Sequence, residues 1–287
     1  MPELPEVEVV KKSLQKRLTD LKIKDVKIIN RNLRYKLDEI NLKKLKNKKI
    51  IKVKRRSKYI LIDLNNAQTI LIHLGMTGKF FFNTKLNQYK KLSFYYQDDT
   101  INNKHNHIIF NFNRFKLIYN DVRKFGFIKL FRTYDIFNNN HLKKLGPEPL
   151  SKKFNVKYFK IKIHKKNRKI KDILMDQKFI AGLGNIYVNE ILFLSKINPS
   201  KVVQKLTFKN ITRIIKYTKF VLKKSIKLGG SSIKDFKNTS GRKGKFQQNF
   251  NVYDRSQLNC IKSNCRGIIK RILISKRSTY YCNICQK

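Results

Sequence analysis

Apolar residues Leu4, Val7, Val10, Leu14, Leu18 and Leu21 recur at three- and four-residue steps, which predicts an amphipathic helix over 4–21. Pro2 and Glu3 stand at its N-terminus, and Glu3 and Glu6 share a face. From Ile23 to about Leu130 the pattern changes to short β runs: Val26–Ile29, Ile50–Lys54, Ile60–Leu64, Thr69–Leu74, Phe80–Phe82, Ile108–Phe112, Lys116–Tyr119 and Phe127–Phe131. Polar breaks separate them, so an antiparallel sandwich or barrel is expected. After Asn138–Asn140 and Gly146-Pro147-Glu148-Pro149, helical spacing returns near Lys169–Asp176, Asn185–Phe193 and Phe208–Ile226. The boundary between the two regions is expected within 132–152. The stretch from Gly229-Gly230 to Gly244 is rich in Gly, Ser and Lys and poor in apolar residues, and reads as a mobile loop. No internal repeat is visible.

With 287 residues, 41% of them hydrophobic, the chain can build two ordinary domains. Charge narrows the class: 67 Lys and Arg against 18 Asp and Glu leave a formal net charge of +49, which points to a polyanionic partner, nucleic acid first. Placement says more than magnitude, because after Glu190 the only acids are Asp235 and Asp254. No apolar run approaches the roughly 18–20 residues of a membrane span, and the acidic opening Glu3, Glu6, Glu8 does not suit a signal peptide. A cytoplasmic location is expected. All four cysteines fall within 26 residues, as Cys260-x4-Cys265-x16-Cys282-x2-Cys285. That spacing fits two knuckles closing one tetrahedral four-cysteine zinc site around a β-hairpin, closed and structural, with a redox pair at Cys282 and Cys285 as the competing reading.

Loss of Met1 would turn Pro2 into a free secondary amine beside the Glu3 carboxylate. An α-amino group titrates near pKa ~7.7–8.0 against ~10.4 for lysine, so a sizeable fraction is neutral and nucleophilic at pH 7. Attack on a sugar C1′ gives an iminium that N-deprotonation cannot discharge, an electron sink for elimination. On these residues alone, two prolines opening a helix is the simpler account.

Family pattern elsewhere changes that ranking. Pro2-Glu3-Leu4-Pro5-Glu6-Val7-Glu8 resembles the N-terminus of bacterial formamidopyrimidine-DNA glycosylases, which excise oxidised purines. Endonuclease VIII, the sister family, typically carries glycine at the position of Leu4. The resemblance runs on through Arg55-Arg56-Ser57-Lys58-Tyr59, His73-Leu74-Gly75-Met76-Thr77-Gly78, Asp121-Val122-Arg123-Lys124-Phe125-Gly126, Leu145-Gly146-Pro147-Glu148-Pro149-Leu150, Gly182-Leu183-Gly184-Asn185-Ile186-Tyr187 and the four-cysteine module. It spans essentially the whole chain.

The resemblance implies an α+β multidomain fold: a catalytic N-terminal helix and antiparallel β-sandwich (1–133), a linker (134–152), a helical domain with a helix-two-turn-helix motif (153–245) and a four-cysteine zinc finger (246–287). It implies Pro2 as nucleophile and Glu3 as acid. Glu6 would orient the N-terminus or relay a proton, or merely favour the helix dipole. Lys58 would contact phosphate and transfer a proton in β-elimination; Arg277 would contact phosphate and assist the second elimination. Met76, Arg123 and Phe125 resemble the triad that fills the void left by a flipped nucleotide. His105, Lys166, Lys171 and Asn185 match phosphate-contact positions, the last at a helix N-terminus. Three departures stand out: Val122 where proline is usual, Ser57 where Gly or Ala is common, and an x4 first knuckle where x2 is usual. The expected whole is a monomeric bifunctional glycosylase and AP lyase acting on double-stranded DNA with oxidised bases or abasic sites, nucleoid-associated, with one structural zinc ion. The alternatives are an endonuclease VIII-like enzyme for oxidised pyrimidines and a non-catalytic zinc-containing DNA-binding protein.

Overall fold

The computed structural model describes residues 1–84, 89–91, 102–231 and 246–287. Most of the stretch expected to be mobile, residues 232–244, therefore lies outside the described residues. Helix α1 spans Leu4–Leu18, with Pro5 in its first turn. It stops short of Leu21: the Thr19 hydroxyl donates to the Gln15 carbonyl (2.7 Å), and Asp20 turns the chain away at φ +68°. Its buried face of Val7, Val10, Leu14 and Leu18 packs into the main core, worth roughly 1.5–3 kcal/mol per side chain.

Nine strands follow: β1 (Asp25–Ile28), β2 (Ile50–Arg56), β3 (Tyr59–Leu64), β4 (Gln68–His73), β5 (Lys79–Thr84), β6 (Tyr89–Lys91), β7 (Asn106–Asn111), β8 (Phe115–Asn120) and β9 (Phe127–Arg132). They form two antiparallel sheets, ordered β1-β7-β8-β5-β6 and β2-β3-β4-β9. Val26, Phe80, Phe82, Ile108 and Leu117 of the first share one core with Val53, Ile60, Ile62, Ile70, Ile72 and Ile128 of the second, a sandwich, one of the two architectures expected from the short β runs. Two elements here have no counterpart among the expected runs, the three-residue β6 and the one-turn helix α2 (Glu39–Lys43), which is announced only by Asp38 accepting from the Asn41 amide.

The second region holds helices α3 (Val156–Ile163), α4 (Ile170–Met175), α5 (Asn185–Leu194) and α6 (Phe208–Lys227), then the hairpin β10 (Ile269–Ile274) and β11 (Arg277–Cys282). Helix α3 has no counterpart among the expected elements because it buries only Phe159 and Ile163 and leaves Ile161 in solvent, too sparse a stripe to register. The chain forms two compact units, 1–143 with 228–247 and 144–227 with 248–287. Residues 228–231, assigned with the helical region by the sequence reading, thus belong with the first unit. Among the described residues no helix is long and apolar enough to cross a membrane.

Candidate active site and nucleic-acid interface

Helix α1 begins in a capping box. The Glu3 side chain accepts from the Glu6 amide, and Glu6 Oε2 accepts from the Glu3 amide at 2.9 Å. Glu6 Oε1 takes two more bonds, from the Ser231 amide (2.8 Å) and hydroxyl (3.0 Å). A carboxylate with three donors is held rigidly, and it fixes the start of the helix. Pro2, Glu3 and Glu6 are all buried, whereas Met1 is exposed. Pro2 nitrogen is still acylated by Met1 in this chain, so the Met1 amine reports the electrostatics around the terminus. Burial pushes that amine's pKa down; Glu3 and Glu6 push it back up, and Lys58 and Arg123 lower it further. The structure thus groups Pro2, Glu3, Glu6, Lys58 and Arg123 around one amino terminus. Lys58 is itself buried.

Two loops carry the Met76, Arg123 and Phe125 set. The buried Asp121 carboxylate accepts from the Thr77 hydroxyl and from the Gly126 amide (2.7 Å), and Thr77 Oγ1 in turn accepts from the Arg123 amide (3.0 Å). Met76 is therefore locked beside the loop that bears Arg123 and Phe125. The fit has no slack: a Cβ on Gly75, at φ +63°, would lie 2.4 Å from the Gly126 nitrogen, and one on Gly126 would lie 1.9 Å from the Tyr119 hydroxyl. The Arg123 guanidinium stacks 4.7 Å over the Phe125 ring, which is 44% exposed. His105 joins through its backbone, its carbonyl accepting from the Asp121 amide (3.0 Å). His73 accepts from the Gly75 amide at Nδ1 (3.1 Å) and has its pKa lowered to about 4 by burial, then by Lys58, Arg34 and His141, so it is neutral at pH 7.

In the second unit, Asn185 opens α5 after Gly184, and its side-chain amide donates to the Ser278 carbonyl (2.9 Å). Lys171 departs from expectation. It is 1% exposed, and its ammonium donates to the Ser278 carbonyl (3.1 Å) and to Thr279 Oγ1 (2.6 Å), so it lies inside the packing of the hairpin and not on a surface open to phosphate. Burial, opposed by Asp172 and reinforced by Arg277, lowers its pKa to about 8. Lys166 is half-buried beyond the end of α3. Arg277 is exposed and follows the two-residue turn Ser275-Lys276, both at positive φ (+48° and +60°) as a type I′ hairpin requires.

The four cysteines converge, with all four Sγ atoms within 4.8 Å of one another. Individual separations of 3.8 Å (Cys260–Cys285), 3.6 Å (Cys265–Cys282) and 3.3 Å (Cys265–Cys285) approach the roughly 3.8 Å edge of a tetrahedron with 2.3 Å metal–sulfur bonds. The amides of Gly267 and Cys285 donate to Cys265 and Cys282 sulfur at 3.4 Å each, and the Gly267 contact helps to lower the Cys265 pKa to about 7. The cluster can hold a metal ion. Its support comes from α5: Glu190, fully buried, accepts from the amides of Asn251, Val252 and Tyr253 and from the Asn251 side chain, while Asn189 accepts from the Tyr280 amide (2.8 Å).

Asp121, Glu190, Asn189 and Ser231 are supporting residues without a counterpart among those expected from the sequence. A usable signal existed for the acids: in a chain with only 18, an acid amid cationic or apolar neighbours, as Asp121 and Glu190 are, is conspicuous.

Comparison with known proteins extends these observations. Residues 1–128 match the family model of the formamidopyrimidine-DNA glycosylase N-terminal domain, and residues 145–237 match that of its H2TH domain. The chain is 41% identical to a formamidopyrimidine-DNA glycosylase of Rickettsia bellii over the full length of both, and 36% identical to that of Dinoroseobacter shibae, again over both full lengths. Among solved structures, a mutant Lactococcus lactis FPG bound to Fapy-dG-containing DNA aligns over 100% of both chains at 36% identity and TM-score 0.86. The L. lactis protein with abasic-site DNA covers 99% of each chain at 35% identity and TM-score 0.85.

Proposed function

This chain belongs to the formamidopyrimidine-DNA glycosylase family, and on that premise we propose that it excises oxidised purines from double-stranded DNA and then cleaves the strand, through Pro2 freed of Met1. The observation that carries the proposal is Pro2 buried beside Glu3 and Glu6, at an amino terminus whose charge is felt by Glu3, Glu6, Lys58 and Arg123. The Pro2 lone pair attacks C1′ and the C1′–N bond to the base breaks with its electrons going to the base, which leaves after taking up a proton; Glu3 protonates the sugar ring oxygen as the C1′–O4′ bond opens, and the Pro2 nitrogen lone pair forms the double bond to C1′. The resulting iminium acidifies C2′. Loss of that proton expels the 3′ phosphate, and a second elimination expels the 5′ phosphate, leaving a one-nucleotide gap. Lys58 serves the first elimination, Arg277 the second. Met76 and Phe125 fill the vacated stack while Arg123 faces the orphaned base. His105, Lys166 and Asn185 meet the DNA backbone; Lys171 instead braces the hairpin that presents Arg277.

Zinc is the proposed occupant of the cysteine cluster, and Cys260, Cys265, Cys282 and Cys285 would hold it, leaving no position for a water nucleophile. The protein acts as a monomer in the cytoplasm, on nucleoid DNA. The test is borohydride trapping on two duplexes, 8-oxoguanine opposite cytosine and an oxidised thymine, with the crosslinked peptide mapped. A crosslink at Pro2 favouring the purine supports the proposal; preference for the pyrimidine moves the activity to the endonuclease VIII type. Binding without any crosslink would leave a DNA-binding protein devoid of this chemistry. The pyrimidine arm is informative because an L. lactis FPG at 36% identity has been crystallised with oxidised-pyrimidine DNA.

A further inference from the structure

We propose that Arg55 is a positioning residue for the strand-cleavage step, keying the turn that bears Lys58 to the helix that bears Pro2 and Glu3. The proposal rests on the role assigned to Lys58 above. Strand β2 ends at Arg56 and β3 begins at Tyr59, so Ser57-Lys58 is the whole connection, with Arg56 paired to Tyr59. Ser57 is buried and sits at φ +55°, a conformation that favours glycine and costs a side-chain-bearing residue energy. Something must hold it there. The Arg55 guanidinium donates through one NH group to the Ser57 carbonyl at 2.8 Å and through Nε to Glu8 Oε2 at 2.7 Å. Glu8 lies on α1, five residues beyond Glu3 and so about 7.5 Å along the helix axis. Lys11 completes the assembly with a 2.8 Å ion pair to the other Glu8 oxygen.

The Arg55 and Glu8 side chains are only 10% and 14% exposed, so this pair is shielded from the solvent and salt that make surface ion pairs weak. One planar fork therefore ties the helix carrying the amine to the carbonyl immediately before Lys58. A lysine could not reproduce the link, because a single ammonium has neither the reach nor the fixed fork to serve both acceptors.

The test uses the Met1-processed, metal-loaded protein and measures two quantities: the single-turnover rate of β-elimination at a preformed abasic site, and Kd for a duplex containing tetrahydrofuran. Arg55→Lys is expected to slow β-elimination by about 10–100-fold, the scale on which misplacement of a reacting group by about 1 Å acts. Kd should change by less than about threefold, since the positive charge is retained. Glu8→Gln should show the same asymmetry, and the double variant should be no slower than the worse single, as for residues acting through one link. Additive losses, equal losses of rate and affinity, or an unchanged rate would each overturn the proposal. Lys58→Met separates the two layers. If Lys58→Met is slow while Arg55→Lys and Glu8→Gln, both confirmed folded by thermal melting, are not, the positioning role fails and the role of Lys58 stands. If Lys58→Met cleaves normally, both fall.

Discussion

Replacing Lys171 with methionine should remove a pH dependence of stability without unfolding the hairpin. Its pKa falls from the ordinary 10.5 to about 8, which corresponds to roughly 3 kcal/mol of preference for the neutral form in the folded protein. The sign follows from proton counting. Between pH about 8 and 10.4 the unfolded chain binds a proton at this site that the folded chain has released, so stability rises with pH through that window and the cost of the buried charge is fully present at neutral pH. The variant lacks the group, so its stability relative to wild type should be highest at pH 7 and drop by about 3 kcal/mol by pH 10.5. Neither oxygen is stranded by the substitution: the Ser278 carbonyl keeps the Asn185 amide, and Thr279 Oγ1 still donates to the Arg277 carbonyl (3.1 Å). Urea unfolding of both proteins from pH 7 to 10.5 measures the difference, and the many ordinary lysines cancel in it. A difference that does not vary with pH would refute the buried-ammonium reading, as would a variant that loses stability at pH 7.

Two other perturbations test the parts that support the site. Gly126→Ala would drive a methyl into the Tyr119 hydroxyl, so unfolding free energy should drop toward the upper end of the about 1–3 kcal/mol that overpacking costs, and Tyr119→Phe in the same chain should restore part of it. Stripping the metal from the cysteine cluster should abolish DNA binding in gel-shift assays while the β signal of the first unit persists in circular dichroism; unimpaired binding after verified metal loss would refute the role given to the hairpin.

Legibility followed the kind of signal each element carries. Helix α6 announces itself because burial on one face writes a three- and four-residue period into the sequence, whereas strands β3, β4 and β8 and helix α5 are buried at consecutive positions and stand out as short apolar runs. Helices α2 and α3 do not, being five and eight residues long with one and two buried side chains. At the site, the four cysteines are legible from local spacing alone, whereas Pro2 and Glu3 stand out only through the family resemblance, because two prolines opening a helix is the simpler account of those residues. Arg55, Asp121, Glu190 and Ser231 act across 47, 44, 62 and 225 residues of chain, distances over which a single sequence carries no pairing information. Lys171, which the resemblance places among the phosphate contacts, carries no local sign of its burial, because the Ser278 and Thr279 oxygens that receive its ammonium lie more than 100 residues away.

The bonds from Ser231 to Glu6 also set an order of events during synthesis. The catalytic helix is among the first parts of the chain to leave the ribosome, yet two of the donors that fix its Glu6 carboxylate belong to a residue made 225 positions later. At roughly 5–20 residues per second, that is a wait of about 10–45 s. Throughout it the amino terminus is tethered less firmly than in the finished protein, where Met1 is exposed but Pro2 is buried, so the Met1–Pro2 bond is most accessible to a methionine-removing enzyme on the nascent chain. On the role proposed for Pro2, its amine would thus be unmasked on a nascent chain whose Glu6 carboxylate still lacks two of its three donors.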